Sequence, residues 1–478
     1  MPSDVVFLPN ARPSINPLEQ ALVRQRTAFA AQPLPDASQR KRWLSALHDM
    51  LVAEQDAIGQ AIAKDFGRRS RDETRLAELL PCLQGIHHAQ RHLAGWMRPS
   101  RRKVSLAFQP ATAQVVYQPL GVVGIIVPWN YPLFLAIGPL TCALAAGNRV
   151  MLKMSETSPA TGELLKALLA KIFPEDLVSV VLGDTDMATA FSALPFDHLL
   201  FTGSTSVGRK VMAAAAQNLT PVTLELGGKS PVLIGANACM AAAAQRIAFG
   251  KTLNAGQTCV APDYVMVPRS RMAEFSAAYT LAVHRLFPSV VGNPDYTLII
   301  NQHHTDRLNR CLHDASIKGA TITALYPMEE HRGRCLPPTL VEGVDDDMLI
   351  MQDEIFGPLL ATLAYDDFQQ ALAYINAHPR PLALYYFGHD RDEQQQVLEG
   401  THSGGVCIND TLLQAAQHDL PFGGVGPSGM GHYHGHEGFL TFSKARGVVR
   451  KGRLNSARLI YPPYGGKLQK LVRWLFIR

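Results

Sequence analysis

Residues 121–153 read GVVGIIVPWNYPLFLAIGPLTCALAAGNRVMLK. The stretch opens on a continuous apolar run, GVVGIIVPW, as in a strand buried on both faces. PLFLAIGPLTCALAAGN then reads as a helix ending at Gly147, and RVMLK as a second strand. The alternation continues downstream. A helix begun by Ser158 and Pro159 is followed by VSVVLGD, HLLFTGS, TSVGRKVMAAAAQNL and PVTLELGG. Strand, helix, strand repeated in this way predicts an α/β fold built on a doubly wound parallel sheet. Ligands of such sheets sit at the carboxyl ends of the strands.

A second alternating block begins near Ser230. SPVLIGAN reads as a strand, MAAAAQRIAFGKTLNAG as a helix, and YVMVPRS as another strand, with further strands in PPTLVEG, FGPLLATLAY and ALYYFGHD. Cys259 then falls in a loop between a helix and a strand, and a cleft between the two α/β units is the natural place for a site. Upstream, residues 17–98 look mainly helical. A basic patch, MRPSRRKV, follows, and then VSLAFQPATAQVVYQPLG, whose alternation and central Pro-Ala-Thr suggest a two-stranded projection suited to a subunit contact.

A chain of 478 residues exceeds one core and implies two or three domains. Its 47% hydrophobic and 18% charged composition is globular, and a net charge of +5 with a pI of about 8.8 gives no case for nucleic acid. Seven scattered cysteines without a CxxC pair argue against a disulfide framework or a zinc site, and suit a reducing, cytoplasmic setting. MPSDVVFLPNARPS lacks the features of a signal peptide. No uninterrupted apolar run reaches about 18 residues, so no membrane span is expected. The final KLQKLVRWLFIR places apolar residues at helical spacing among basic ones. It reads either as a helix packed on its own protein or a partner subunit, or as a basic amphipathic helix on a membrane surface.

Several local patterns can carry chemistry. In FTGSTSVG, a strand delivers Gly203, Ser204, Thr205, Ser206, Val207 and Gly208 into the start of a helix. Such a start offers free N–H groups to a phosphate, although a plain strand–helix turn has the same composition. Lys153 and Glu156 end a strand of the same sheet, where they can bond ribose hydroxyls or simply face solvent. Asn130 in PWNYP can donate to an oxyanion or to its own turn. Glu225 in LELGGKS sits between apolar neighbours; a raised pKa there suits a general base, and a strand-end salt bridge is the alternative. Glu354 and Phe356 in EIFGP say little alone. Cys259 is either a nucleophile or a small buried side chain. GHYHGHEG sets His432, His434 and His436 at alternate positions beside Glu437, but its glycines argue for an irregular segment rather than a metal site.

Taken together, PWNYP, FTGSTSVG, LELGGKSP, NAGQTCVAP, EIFGP and PFGGVGPSGMG follow the order typical of NAD(P)-dependent aldehyde dehydrogenases, which the chain resembles from about residue 20 to about 450. SGMGHYHGHEGF is similar to the compact class 3 branch. DFGRRSRDET, WMRPSRRKV and VMLKMSE look like bacterial coniferyl aldehyde dehydrogenases. Met154 departs from the proline more usual in the wider family.

The resemblance implies that Cys259 is the nucleophile, Glu225 the general base, and Asn130 with the Cys259 N–H the oxyanion hole. It places Gly203–Gly208 by the pyrophosphate, Lys153 and Glu156 on the adenosine ribose, Glu354 and Phe356 by the nicotinamide ribose, and Trp129 near the phosphates. The implied substrate is an aromatic or hydrophobic aldehyde, with fatty aldehydes the alternative, and no resident metal. NAD is expected in preference to NADP, because Glu156 repels an added phosphate. The implied division is residues 1–101 and 120–225 for the cofactor, 226–412 for catalysis, 102–119 and 430–450 as oligomerisation strands of a homodimer, and 451–478 as a tail.

Overall fold

A computed structural model describes residues 17–105, 108–327, 333–454 and 461–477. The segment read above for a signal peptide falls wholly outside them, as do the side chain of Phe476 and all of Arg478 at the end of the tail.

The opening stretch folds as its pattern predicts. Strand Val122–Ile126 is buried at every position, helix Phe134–Ala146 is buried along nearly its whole length, and strand Arg149–Lys153 pairs with the first in parallel. Gly147 ends the helix at φ 92°, a left-handed cap that glycine adopts without a Cβ penalty. The sheet order is Gly429–Met430, Val222–Leu226, His198–Gly203, Val122–Ile126, Arg149–Lys153, Val178–Val181. All pairings are parallel except that of the two-residue edge strand. The chain enters at Val122–Ile126, winds outward through two strands, then returns to build His198–Gly203 on the other side. The winding reverses between Val122–Ile126 and His198–Gly203, and a crevice opens at such a reversal. PWNYP and FTGSTSVG are the segments that leave those two strands.

One face of this sheet packs on helices Ala37–Ala53, Leu80–Trp96 and Phe134–Ala146, with Leu47, Leu51, Ile86, Leu93 and Leu140 in the shared core. The other face carries Leu18, Leu22, Phe191, Phe196 and Val211. Between helices Gln55–Phe66 and Leu80–Trp96 the chain makes a turn of π-helix, Arg75–Leu79.

The second sheet has seven strands in the order Thr321–Ala324, Thr339–Glu342, Leu359–Tyr365, Tyr264–Pro268, Pro231–Ile234, Ala383–Phe387, Gly405–Ile408. Only Thr321–Ala324 runs antiparallel. Helix Met240–Thr252 stops short of the LNAG expected to extend it, because Asn254, Ala255 and Gly256 take left-handed backbone at φ 53°, 51° and 74°.

The projection has three strands rather than two. The first strand is Ser100–Arg102 in the basic patch rather than in VSLAFQ, Ala111 and Thr112 of the expected central turn begin the second, Ala111–Pro119, and Ser443–Lys451 adds along the second for its whole length. The alternation alone suggests a hairpin; the distant third strand falls at the end of the 430–450 segment that the resemblance implies. Helix Lys467–Phe476 closes the described chain. Among the described residues no helix is long and apolar enough to cross a membrane.

Candidate active site

A cavity of about 930 Å³ lies between the two sheets. Trp129, Asn130, Gly203, Ser204, Thr205, Ser206, Glu225, Cys259, Glu354 and Phe356 all line it. The sheets meet it with opposite ends. Trp129, Asn130, Gly203 and Glu225 come from carboxyl ends of strands, whereas Cys259 precedes strand Tyr264–Pro268 and Glu354 precedes Leu359–Tyr365.

Cys259 is half-buried, and its sulfur accepts from its own backbone N–H and that of Val260. Burial, then Glu354 and Glu225, push its thiol up to about 12. Glu225 is 2% exposed, and neither carboxylate oxygen has a hydrogen-bond partner. Burial alone raises its pKa well above the usual carboxylate range. Glu354 is pushed up to about 8, by burial first and Asp263 second, while the Gly228 N–H it accepts, Lys229 and Arg307 pull the other way. A Cβ on Gly227 would lie 2.0 Å from Glu354 Oε2, so the carboxylate rests directly on the Gly227–Gly228 backbone.

Asn130 is buried, and its Nδ2 donates one hydrogen to the Gln257 carbonyl at 3.1 Å. That bond fixes the carboxamide beside the cysteine and leaves its second hydrogen for the cavity. Asn254 Nδ2 bridges back to the Asn130 carbonyl at 3.0 Å and the Gln257 carbonyl at 3.2 Å. Gln257 is itself held at both ends, giving Nε2 to Asn254 O and Leu298 O and taking the Ile300 N–H on Oε1.

Beneath both loops lies an ion cluster that sequence reading passed over. The Arg69 guanidinium, fully buried, binds Glu78 at 2.7 Å and Glu73 at 3.1 Å, and donates to the Asn130 carbonyl at 3.3 Å. Glu78 Oε2 takes the Leu133 and Phe134 N–H groups at 2.9 and 3.0 Å. Glu73 accepts the backbone N–H of Asn254. Tyr131, lying against Arg69 at 4.9 Å, shares a 2.8 Å hydrogen bond with Thr258. The cluster thus ties the PWNYP loop and the cysteine loop to one buried cation. The π-helical turn supplies the spacing, since residues five apart share a face there. Lys251, Lys229 and Arg307 were also unforeseen. Buried Lys251 falls to about 8, and Lys229 ties Asp263 to the Ile350 and Asp353 carbonyls.

On the other wall Ser204 caps helix Thr205–Ala216 by accepting the Val207 N–H, and Ser204 and Ser206 hydroxyls pair at 3.1 Å. Thr205 Oγ1 is tied to the Pro427 carbonyl. Val207 and Gly208 stand back from the cavity. A Cβ on Gly208 would lie 2.6 Å from Leu226, so this glycine lets the helix approach the sheet. Trp129 sits among His304, Phe356 and Phe66 with ring centroids 5.0, 5.4 and 6.2 Å away.

Lys153 and Glu156 do not line this cavity. Lys153 is buried, with its Nζ on the Met154 and Gly183 carbonyls at 2.7 and 2.9 Å, and Glu156 stands 3.8 Å from it. In GHYHGHEG the backbone bends at His434, φ 95°, into a short helix, Gly435–Thr441, so its histidines do not share a strand face. His434 is buried, His432 pairs with Glu437 at 3.4 Å, and His436 lies against Trp96. Among the described residues no group of three His, Cys, Asp or Glu side chains is placed to hold a metal ion.

One cavity thus holds a half-buried cysteine, an unpaired buried carboxylate, an anchored amide and the amino end of a capped helix. Residues 15–448 match the aldehyde dehydrogenase family, and the chain belongs to it. It is an oxidoreductase that takes an aldehyde to the acid with NAD(P)+. It is 63% identical over 478 residues, all of both chains, to a "probable coniferyl aldehyde dehydrogenase" of Pseudomonas aeruginosa. Among solved structures it is similar to the substrate-bound state of Staphylococcus aureus AldH, with TM-score 0.91 and 37% identity over 96% of this chain and all of that one. It is also similar to a Mycobacterium tuberculosis aldehyde dehydrogenase complexed with NAD+, with TM-score 0.82 and 29% identity over 92% and 91% of the two chains.

Proposed function

We propose that the substrate is an aromatic aldehyde of the coniferyl type, oxidised to its acid with NAD+ in a cytoplasmic homodimer. The single observation that carries the substrate is the full-length, 63% identity to a protein named for it. Residue roles rest on the shared cavity.

The cavity fits a dinucleotide. A 12-residue helix directs its amino end and the Ser204 and Ser206 hydroxyls there, Thr202 Oγ1 is buried beside them without a partner, and about 930 Å³ is ample. When bound, NAD+ supplies the acceptor that turns a thiohemiacetal carbon into a thioester. Gly203–Gly208 would hold its phosphates, Trp129 would flank them and Glu354 and Phe356 would meet the nicotinamide ribose, while the adenosine ribose would have to reach past the cavity to the strand end where Lys153 and Glu156 stand. A carboxylate at 156 repels a 2′-phosphate, which favours NAD+ over NADP+.

Cys259 Sγ attacks the aldehyde carbon as its proton leaves to water, and Glu225, the unpaired carboxylate lining the same cavity, stays free for the hydrolytic step. The new oxyanion takes the free Asn130 Nδ2 hydrogen and the Cys259 N–H. After oxidation, Glu225 takes a proton from water, whose oxygen adds to the thioester carbon, releasing the acid and restoring the thiol. The dimer would join along the exposed edge strand Ser443–Lys451, whose backbone is a ready template for pairing.

The test is NADH production, read from the absorbance of the reduced nicotinamide, with coniferyl aldehyde and with decanal. Cys259→Ser is expected to lose on the order of 10⁴-fold or more in kcat while still binding NAD+. Normal NADH production by that variant removes the cysteine from the mechanism. A large kcat/KM advantage for decanal moves the substrate to fatty aldehydes.

A further inference from the structure

Residues 443–478 hold ten Lys and Arg and no Asp or Glu, whereas the preceding 442 hold 35 basic and 40 acidic side chains. The net charge of +5 is therefore a basic end on an acidic body. None of this charge has a place in the chemistry between the two sheets.

The described parts of that end present it outward. Lys444, Arg446, Arg450 and Lys451 are exposed on the edge strand Ser443–Lys451. In helix Lys467–Phe476, at 100° per residue, Leu468, Leu471, Val472 and Leu475 fall within an arc of about 100°, and Gln469, Lys470 and Arg473 fall opposite. Leu468, Leu471 and Leu475 keep 48%, 48% and 55% of their surface open, all on one face of a single short helix. The helix contains no acidic residue that would balance its cations. Ten residues rise only about 15 Å, half the hydrocarbon thickness, so the helix can lie on a bilayer but not cross it.

An apolar stripe flanked by cations meets two needs at once, burial of leucines and neutralisation of charge, and a surface of anionic lipid supplies both. Nucleic acid would leave the leucines in water. A second copy seated on the stripe would set the helix's own cations, Lys467, Lys470 and Arg473, beside their equals. We propose that the C-terminal helix lays its leucine stripe into an anionic lipid surface, with Lys467, Lys470 and Arg473 held on the lipid phosphates.

Flotation of the full-length protein with phosphatidylcholine vesicles, with and without phosphatidylglycerol, tests this. Binding is expected only with phosphatidylglycerol and is expected to weaken as salt rises. Lys470→Glu with Arg473→Glu should lower partitioning by about fivefold or more per reversed cation. Leu471→Asp with Leu475→Asp should abolish it, with NADH production unchanged in both. Equal binding to both vesicle types, or wild-type binding by the leucine variant, overturns the proposal. If the leucine variant instead turns a dimer into a monomer in light scattering, the stripe belongs to a second copy and the proposal also fails.

Discussion

The two walls of the cavity are built in opposite ways. The cofactor wall offers carboxyl ends of parallel strands and the start of a capped helix, so its groups are largely backbone N–H and short hydroxyls in ordinary conformations. The cysteine wall offers amino ends of strands, reached through left-handed residues at 254, 255, 256 and 356. Each wall contributes one carboxylate toward Cys259. Glu225, from the cofactor wall, has no partner on either oxygen. Glu354, from the cysteine wall, lies on a glycine pair and accepts the Gly228 N–H. The unpaired group is poised to exchange protons, and the held group is poised to hold something else. The two surroundings differ in the same sense as the two roles that the resemblance implies, a general base at Glu225 and a ribose contact at Glu354.

The largest break in this comparison should come from Glu225→Gln. Losing a general base costs about 10²–10⁴-fold in turnover. If Glu225 acts in hydrolysis, rapid-mixing kinetics should still show a first burst of NADH, followed by a collapsed steady state. Because burial raises its pKa well above the carboxylate range, wild-type steady-state turnover should climb with pH far past pH 5, and the variant should lose that limb. A variant with neither burst nor turnover would place Glu225 in the attack step alone.

Glu354→Gln should have a smaller and different effect, of order tenfold, seen first in KM for NAD+. It also has a signature in stability. A carboxyl that titrates at about 8 when folded and near 4.5 when unfolded binds its proton more tightly in the folded state. Stability is therefore highest below the unfolded value and is lost as pH rises from about 4.5 toward 8. Glutamine removes that dependence, so the Tm of the variant relative to wild type should rise steadily between pH 5 and 8. Parallel curves would mean that Glu354 is already ionised in the folded enzyme.

The difference between the walls also sets what could be read in advance. On the cofactor wall the signals are local. An apolar run marks a buried strand, Ser204 marks a helix start, and Gly147 a helix end, so GVVGIIVPW and FTGSTSVG were placed correctly at one crevice. On the cysteine wall the rule that ligands sit at carboxyl ends of strands points away from Cys259. Alanine favours helix more than any residue, so LNAG reads as a continuing helix. What overrides it is tertiary: Asn254, buried, bonds the Asn130 carbonyl, and Gly256 packs where a Cβ would sit 2.3 Å from the Gly357 carbonyl. Arg69, Glu73 and Glu78 look like the solvated face of a helix until a π-helical turn and the sheet bury them. Lys153 and Glu156 had the right strand end, but hydrogen bonding to carbonyls pulls Lys153 back from the cavity.

Ala255→Gly should produce the smallest effect and is the sharpest probe of the cysteine wall. Ala255 is fully buried at φ 51° and ψ 35°, a conformation that costs an L-residue about 1–2 kcal/mol. Glycine would relieve that cost. Against it stand the extra freedom of the unfolded chain, about 0.4–1 kcal/mol, and the loss of one buried methyl, about 0.8 kcal/mol. The terms nearly cancel, so Tm should move by no more than a few degrees, about 2–4 °C per kcal/mol. Activity should hold as well, because the loop is pinned on either side of residue 255 by Asn254 and Gln257 rather than by the alanine itself. Calorimetry and kcat on the same preparation decide it. A Tm left in place with a kcat that falls tenfold would show that the left-handed alanine, and not its hydrogen-bonded neighbours, sets the position of the sulfur.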